Sequence, residues 1–244
     1  MRTVGHRQPQ PIGFAASAAR LAEGARFNDD IHRLPSGSDS FIPKGVYRFK
    51  THAEANRHQS DCLARGMASV ARVRHQTEHR LMEQHSRPAS FDDLKALVRS
   101  LNQNDAEYLL IGGYTLFAHG YHRATTDIDL LVPANQNAGR KIREALLLLP
   151  DQAARDIDPA WFEEGDNIRV ADVFVVDLML NACGETYDSL QRHAETIDLD
   201  GIPVRTVNLQ GLLLTKQTTR DKDIADRIVL ERALAVLNAH PEKP

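Results

Sequence analysis

The chain has two cysteines and one tryptophan in 244 residues, and no apolar run that approaches the length of a membrane span. Each shortage excludes a class of protein. Cys62 and Cys183 lie far apart and share neither a metal-ligand nor a redox spacing, so disulfide scaffolding, thiol-based zinc binding and dithiol redox chemistry are excluded as the organising principle. Without about 20 consecutive apolar residues there is no transmembrane helix to place and no membrane partner to expect. The amino-terminus carries Arg2, His6 and Arg7 but continues Gln8-Pro9-Gln10-Pro11 where a signal peptide would have its apolar core. A cytoplasmic chain is the expectation. What is present suffices for a core: 42% of residues are hydrophobic, enough at this length for one ordinary domain and an appendage.

The most informative stretch is Ile111 to Val132, IGGYTLFAHGYHRATTDIDLLV. Tyr108 to Ile111 is an apolar run of strand length, ended by Gly112-Gly113, two residues free to adopt positive φ or to let another group approach the backbone. A short helix follows, with Tyr114, Leu116, Phe117 and Tyr121 on its apolar side and Gly120 closing it. A second strand, Thr126 to Val132, carries Asp127 and Asp129; strand side chains alternate, so both carboxylates point to one face while Ile128, Leu130 and Leu131 hold the strand in a core. Two adjacent carboxylates on such a strand repel each other unless protons or a cation intervene. Mg²⁺ suits them, because it prefers carboxylate oxygens and keeps coordination positions for phosphates. Two such ions roughly 3.5–4 Å apart clamp both sides of an in-line phosphoryl transfer.

These residues resemble a known family. Gly112-Gly113, thirteen residues, then Asp127-Ile128-Asp129-Leu130 is similar to the signature of the nucleotidyltransferase superfamily built on the DNA polymerase β-like palm. More narrowly, GGYTLFAHG followed by Arg123-x-Thr125-x-Asp127 resembles the minimal nucleotidyltransferases that include toxins of abortive-infection toxin–antitoxin systems. The resemblance covers roughly Phe91 to Asn238 and departs from the pattern at Tyr114, where many members have serine. It implies a third carboxylate on a following core strand, and Ile168 to Leu180, IRVADVFVVDLML, offers Asp172 and Asp177. Five apart, they would face opposite ways on one regular strand. Asp177 sits in the middle of the apolar run, where a solvated carboxylate is costly, whereas Asp172 follows Ala171 and can occupy a turn; Asp177 is therefore the candidate. Lys216, followed by Arg220, Lys222 and Asp223, matches a lysine that contacts the nucleotide in similar enzymes. The implied set is thus Asp127, Asp129 and Asp177 for catalysis and two Mg²⁺ ions, with Gly112, Gly113, Thr115 and Lys216 on the nucleotide.

The amino-terminal part differs in charge. Residues 1–90 hold 14 Lys and Arg against 8 Asp and Glu, with seven of the eleven histidines, whereas residues 91–244 hold 16 against 25. A basic arm for nucleic acid, an arm docked on the acidic part of its own chain, and a solvated extension all fit this imbalance. Residues 1–40, ending in Pro35-Ser36-Gly37-Ser38-Asp39-Ser40, are expected to be mostly flexible, with a helix over Phe14 to Phe27 only if something packs on it. Residues 41–90 are expected as a basic strand–helix extension: Val46 to Phe49 as the strand, Thr51 with Glu54 as a capping box, and a helix to about Gln84 with Leu63, Met67, Val70 and Val73 on one stripe, weakened at Gly66.

Residues 91–244 are expected to form the nucleotidyltransferase-like domain. Ser90 and Asp93 cap a helix with Leu94, Leu97, Val98 and Leu101 at helical spacing, and a second helix, Ala138 to Leu149, is basic at Arg140, Lys141 and Arg143. Glu185 to His193 reads as a short helix, Asp200-Gly201 as a hairpin turn, Asn208 as the cap of Leu209 to Thr218, and Ile224, Ile228, Leu230, Leu234 and Leu237 as a final helix. The fold class is α/β of the α+β kind, a small mixed sheet flanked by helices behind an irregular or helical extension. The expected function is Mg²⁺-dependent transfer of a nucleoside monophosphate from a nucleoside triphosphate to an acceptor hydroxyl on RNA, tRNA or protein, in the manner of a toxin with a cognate antitoxin. A non-catalytic nucleotide-binding or regulatory protein on the same fold is the alternative.

Overall fold

The computed structural model describes residues 11–34, 41–72 and 85–239, arranged around one seven-stranded mixed sheet flanked by helices. In chain order the first elements are α1 (Ala18–His32), β1 (Gly45–Phe49), α2 (His52–Arg72), α3 (Phe91–Gln103), β2 (Leu109–Ile111), α4 (Gly112–Ala118) and β3 (Asp127–Leu131). They are followed by α5 (Gln136–Leu146), α6 (Trp161–Glu164), β4 (Asn167–Ala171), β5 (Val175–Met179), α7 (Tyr187–Leu190), β6 (Ala194–Leu199), β7 (Ile202–Val207), α8 (Leu209–Leu214) and α9 (Asp221–Ala239). The strand order is β1-β4-β5-β3-β2-β7-β6, with β3/β5 and β2/β7 parallel and the other neighbours antiparallel. This is the expected α+β class. Among the described residues no helix is long and apolar enough to cross a membrane.

The period-2 pattern sorts side chains between two faces of the sheet. Ile128 and Leu130 of β3 join Val176 and Leu178 of β5 in the main core, which also buries Leu94, Leu97, Val98 and Leu101 of α3 and Ile142 of α5. Fully burying each of these leucines contributes about 1.5–3 kcal/mol, so this face holds the sheet. On the opposite face Leu131 and Met179 pack with Ile111, Leu209, Leu212 and Leu230, while Val175 packs with Ile42, Ala171 and Cys62 under α2. Asp127, Asp129 and Asp177 lie between those two apolar patches. The capping box of α3 forms, with Ser90 Oγ accepting from Asp93 N at 3.2 Å and Asp93 Oδ2 from Ser90 N at 2.7 Å. Asp200 and Gly201 turn the β6–β7 hairpin, both at positive φ.

Three expectations change. Residues 18–32 form a packed helix: α1 buries Leu21, Ala25 and Asn28, and Gly24 lets the Phe117 side chain of α4 come so close that a Cβ there would meet its Cβ at 2.4 Å. The partner that a marginal Ala-rich helix needs is α4. Second, residues 41–90 supply an edge of the same sheet, β1 pairing with β4 from Gly45↔Ala171 to Phe49↔Asn167. Third, of the stripe expected to pack α2, Leu63 and Met67 point outward, being 44% and 61% exposed, the Val70 side chain lies outside the described part, and the buried side is Ala55, Cys62 and Gly66. At Gly66 a Cβ would meet the Phe41 ring at 2.0 Å, so the missing side chain that weakens the helix also seats it. Val73, the expected run on to Gln84, and the segments 1–10 and 35–40 lie outside the described residues. Further along, Ile168 to Leu180 is a β4–β5 hairpin turning at residues 172–174, and Glu185 to His193 shortens to α7 and a 3-10 turn.

Candidate functional site

A single cross-strand row builds the site. In register, Tyr47 of β1 pairs with Arg169 of β4, Arg169 with Asp177 of β5, Asp177 with Asp129 of β3, and Asp129 with Ile111 of β2. Paired residues project to the same face, so the parallel β3/β5 pairing puts the Asp177 carboxylate beside Asp129, and Asp127 lies two residues along on the same side. Carboxylate oxygens of Asp127, Asp129 and Asp177 all lie within 4.8 Å of one another. Oxygen-only ligands so close suit a hard divalent ion such as Mg²⁺.

The approach of β2 and α4 makes glycine obligatory at one point. Gly112 has φ +69, and a Cβ on it would lie 1.8 Å from Asp129 Oδ2. The backbone turn therefore rests directly against the carboxylate, a close approach no side chain would permit. Gly113 is similarly filled by Thr125, whose Oγ1 would be 2.5 Å from a Cβ there. Thr125 in turn donates to Asp127 Oδ1 at 3.0 Å. Its backbone is clamped from outside the strand: Asn28 of α1 donates to Thr125 O at 3.0 Å and accepts from Thr125 N at 2.9 Å.

Electrostatics separate the paired aspartates. Burial disfavours charge on Asp127, yet Lys222, Arg169, the Thr125 hydroxyl and Arg123 together outweigh it and hold its carboxyl below the usual range. Asp129 goes the other way, since burial and the charges of Asp127 and Asp177 push it up to about 7 against Lys216 and Lys222. Without a cation the trio accommodates its negative charge poorly, which is the condition under which a divalent ion binds with most gain. Asp177 has its own counter-charge: Arg169 Nε donates to Oδ1 and the terminal guanidinium nitrogen to Oδ2, both at 2.7 Å. Each carboxylate oxygen has two lone pairs, so these bonds leave room for coordination, and the three residues fit the ion.

Around the carboxylates runs a cleft lined by residues from both ends of the chain, including Phe49, His52, Asn56 and Gln59 before the helical core and Lys216, Thr218, Arg220, Lys222 and Asp223 after it. Burial, then the Arg220 charge, lowers the His52 imidazole, which favours its neutral form. Lys216 lines the cleft as expected, but its ammonium is bonded to Asp223 at 3.1 Å and Asp226 at 3.3 Å. Asp226 is also held by Arg123, through contacts of 2.9 and 3.0 Å, so Arg123, Lys216, Asp223 and Asp226 form one buried network joining α9 to the loop before β3. Lys222, exposed on the cleft wall, is a cation left without a carboxylate partner among the described residues.

Thr115 is not at the cleft. It is fully buried in α4, its hydroxyl donating to Leu110 O at 2.8 Å and lying 3.1 Å from Thr206 Oγ1, so its place in the expected nucleotide set is corrected to a core contact between β2 and β7. Tyr114, standing where many resembling sequences have serine, is also buried and donates to Ala89 O at 2.8 Å. Asp172 is likewise buried away from the trio, where its carboxylate caps the N–H groups of Asp151, Ala153 and Val173. Three groups escaped the sequence reading: Arg169, Asp226 and the inner face of α2. A charge amid the β-branched run at 168–176 was the signal for Arg169, and the Asp223-x-x-Asp226 spacing, which puts both on one helix face, was the signal for Asp226. Nothing local marked α2. Compared with known proteins, the chain matches no family model and no curated protein.

Proposed function

We propose that the protein is a Mg²⁺-dependent nucleotidyltransferase that moves a nucleoside monophosphate from a nucleoside triphosphate to an acceptor hydroxyl on RNA, tRNA or protein, as toxins of the resembling subgroup do. The observation that carries the proposal is the convergence of Asp127, Asp129 and Asp177 within 4.8 Å in a cleft rimmed by Lys222, Arg220 and Arg123. Those carboxylates would hold Mg²⁺, which supplies charge neutralisation at the triphosphate and acidifies an acceptor hydroxyl when bound. The chain's own contribution is positioning. The Gly112 turn seats the Asp129 carboxylate directly against the backbone, and Lys222, which makes no ion pair among the described residues, offsets charge on the departing pyrophosphate. Lys216 acts behind it, fixing Asp223 and Asp226.

A second reading has one observation in its favour. Arg169 occupies both oxygens of Asp177 with charge-assisted hydrogen bonds, a fixed pairing that a nucleotide-binding regulator without turnover would tolerate. The two readings separate on one experiment: the protein is incubated with Mg²⁺, each α-labelled triphosphate, and total tRNA or cell protein. Label on an acceptor, lost by at least about 100-fold in Asp127→Asn and Asp129→Asn, is the expected result; without metal Asp129→Asn should melt no lower than wild type, because its charge is disfavoured in the fold. Near-wild-type transfer by either variant would sink the metal assignment; nucleotide binding with no transfer would select the regulator.

A further inference from the structure

Resting on the nucleotidyltransferase reading, we propose that the inner face of α2 is the base-recognition wall of the cleft, where Asn56 and Gln59 read an adenine edge, so that the protein selects ATP. Four observations support this. First, α2 belongs to a different part of the chain from the carboxylates, yet His52, Asn56 and Gln59, at helical positions i, i+4 and i+7, line the same cleft as Asp127, Asp129 and Asp177. Second, the helix is fixed relative to them. Arg169, while holding Asp177, also donates to Ala55 O at 3.4 Å, and the His58 ring packs 4.4 Å from Tyr47 and 5.4 Å from Phe49.

Third, the stretch is in reach. The charges of Arg220, Asp177, Asp223 and Lys216 act on His52, and Arg169, which holds Asp177, bonds Ala55 O, so this part of α2 runs alongside the charged side of the cleft. Asn56 and Gln59 lie about 6 and about 10 Å from His52 along the helix axis, within the span of a nucleotide whose triphosphate is seated at the carboxylates. Fourth, neither the Asn56 nor the Gln59 carboxamide makes a hydrogen bond to another described residue, although both residues are half-buried in the cleft wall. A carboxamide presents a donor and an acceptor side by side. That pair matches the N6 amino group and N7 of adenine, whereas guanine shows two acceptors on the same edge and calls for arginine or lysine. Among the described residues on the cleft face of α2 the one titratable group is His52, whose neutral form is favoured by burial. Phe49 adds an apolar wall beside the base.

The test is calorimetric binding to the full-length chain, with Mg²⁺, of ATP, GTP, CTP, UTP and inorganic tripolyphosphate, for wild type and for Asn56→Ala, Gln59→Ala and the double variant. Wild type is expected to bind ATP roughly tenfold tighter than GTP. The double variant is expected to lose that ratio while keeping tripolyphosphate affinity and melting temperature. A wild type with no base preference, one preferring another base, or an ATP preference that survives both substitutions overturns the proposal, and in each case the triphosphates still bind and the nucleotidyltransferase reading stands. Loss of tripolyphosphate binding in the double variant also overturns it, because the residues would then be structural. Binding of no triphosphate at all would overturn both readings together.

Discussion

Asp172 and Asp177 stand five positions apart in one apolar run and have unrelated roles. Asp177 meets Asp129 because β5 lies parallel to β3 in register, whereas Asp172 sits in the β4–β5 turn and accepts from three N–H groups at 2.8–3.1 Å. Removing the Asp172 carboxylate would strand those donors in a fully buried place. Asp172→Ala is therefore expected to cost about 3 kcal/mol and lower the melting temperature by roughly 6–12 °C. A thermal melt decides this, and an unchanged temperature would mean that water replaces the caps. The preference for Asp177 over Asp172 was legible because a carboxylate in the middle of a β-branched run needs a reason. Its pairing with Arg169 was not, since that contact depends on which residues a hairpin turn brings opposite one another.

At the scale of elements, α9 is held by charge in its first turns and by an apolar stripe beyond them. Asp223, Asp226 and Leu230 are buried and Ala233, Leu234 and Leu237 pack on the second apolar cluster, while Ile228 and Val236 are exposed. Asp226→Ala would leave the Arg123 guanidinium buried without its partner, a change that costs about 3–5 kcal/mol. Hydrogen exchange of the α9 amides should accelerate by at least about 100-fold in this variant, with β3 and β5 little affected; protection equal to wild type would show that apolar contacts suffice. A second joint lies where residues 11–17 meet α4. The buried His119 ring has Nδ1 2.9 Å from Gly13 O and Nε2 3.0 Å from Val207 O, with Glu195 and Arg20 the nearby charges. Burial pushes the imidazole down despite those two carbonyls. Because the folded value lies below the unfolded one, the stabilisation is present above pH about 6.5 and is lost as pH falls through the folded value. Melting temperatures measured from pH 8 to pH 5 should fall, and less steeply for His119→Gln; parallel slopes would remove His119 from the account.

For the whole molecule, the charge imbalance between residues 1–90 and 91–244 is partly used within the fold. Lys44 pairs with Asp151 and Arg48 with Asp166, each at 2.7 Å. The first ninety residues also supply the edge strand β1 and the buried side of α1. Deleting residues 1–90 would uncover β4 as an exposed edge and remove Leu21, Ala25 and Ile42 from apolar clusters. The truncated chain is expected to aggregate or melt without a cooperative transition, measured by circular dichroism. A cooperative melt within a few degrees of the full-length protein would instead make the segment a detachable arm.

Several features follow from the sequence by itself: Asp127 and Asp129 on one face, the α3 helix with its Ser90 and Asp93 cap, the turn at Asp200-Gly201, and glycine where β2 gives way to α4. Each depends on residues within a few positions of one another, where alternation, helical period and permitted φ leave little choice. Only the tertiary structure decided that Arg169 clamps Asp177, that Thr115 turns into the core, that Asp226 ties α9 to Arg123, and that α2 walls the cleft. Those contacts join residues from five to over a hundred positions apart, and strand register and helix packing set them through the burial of the whole apolar surface, which no local pattern encodes.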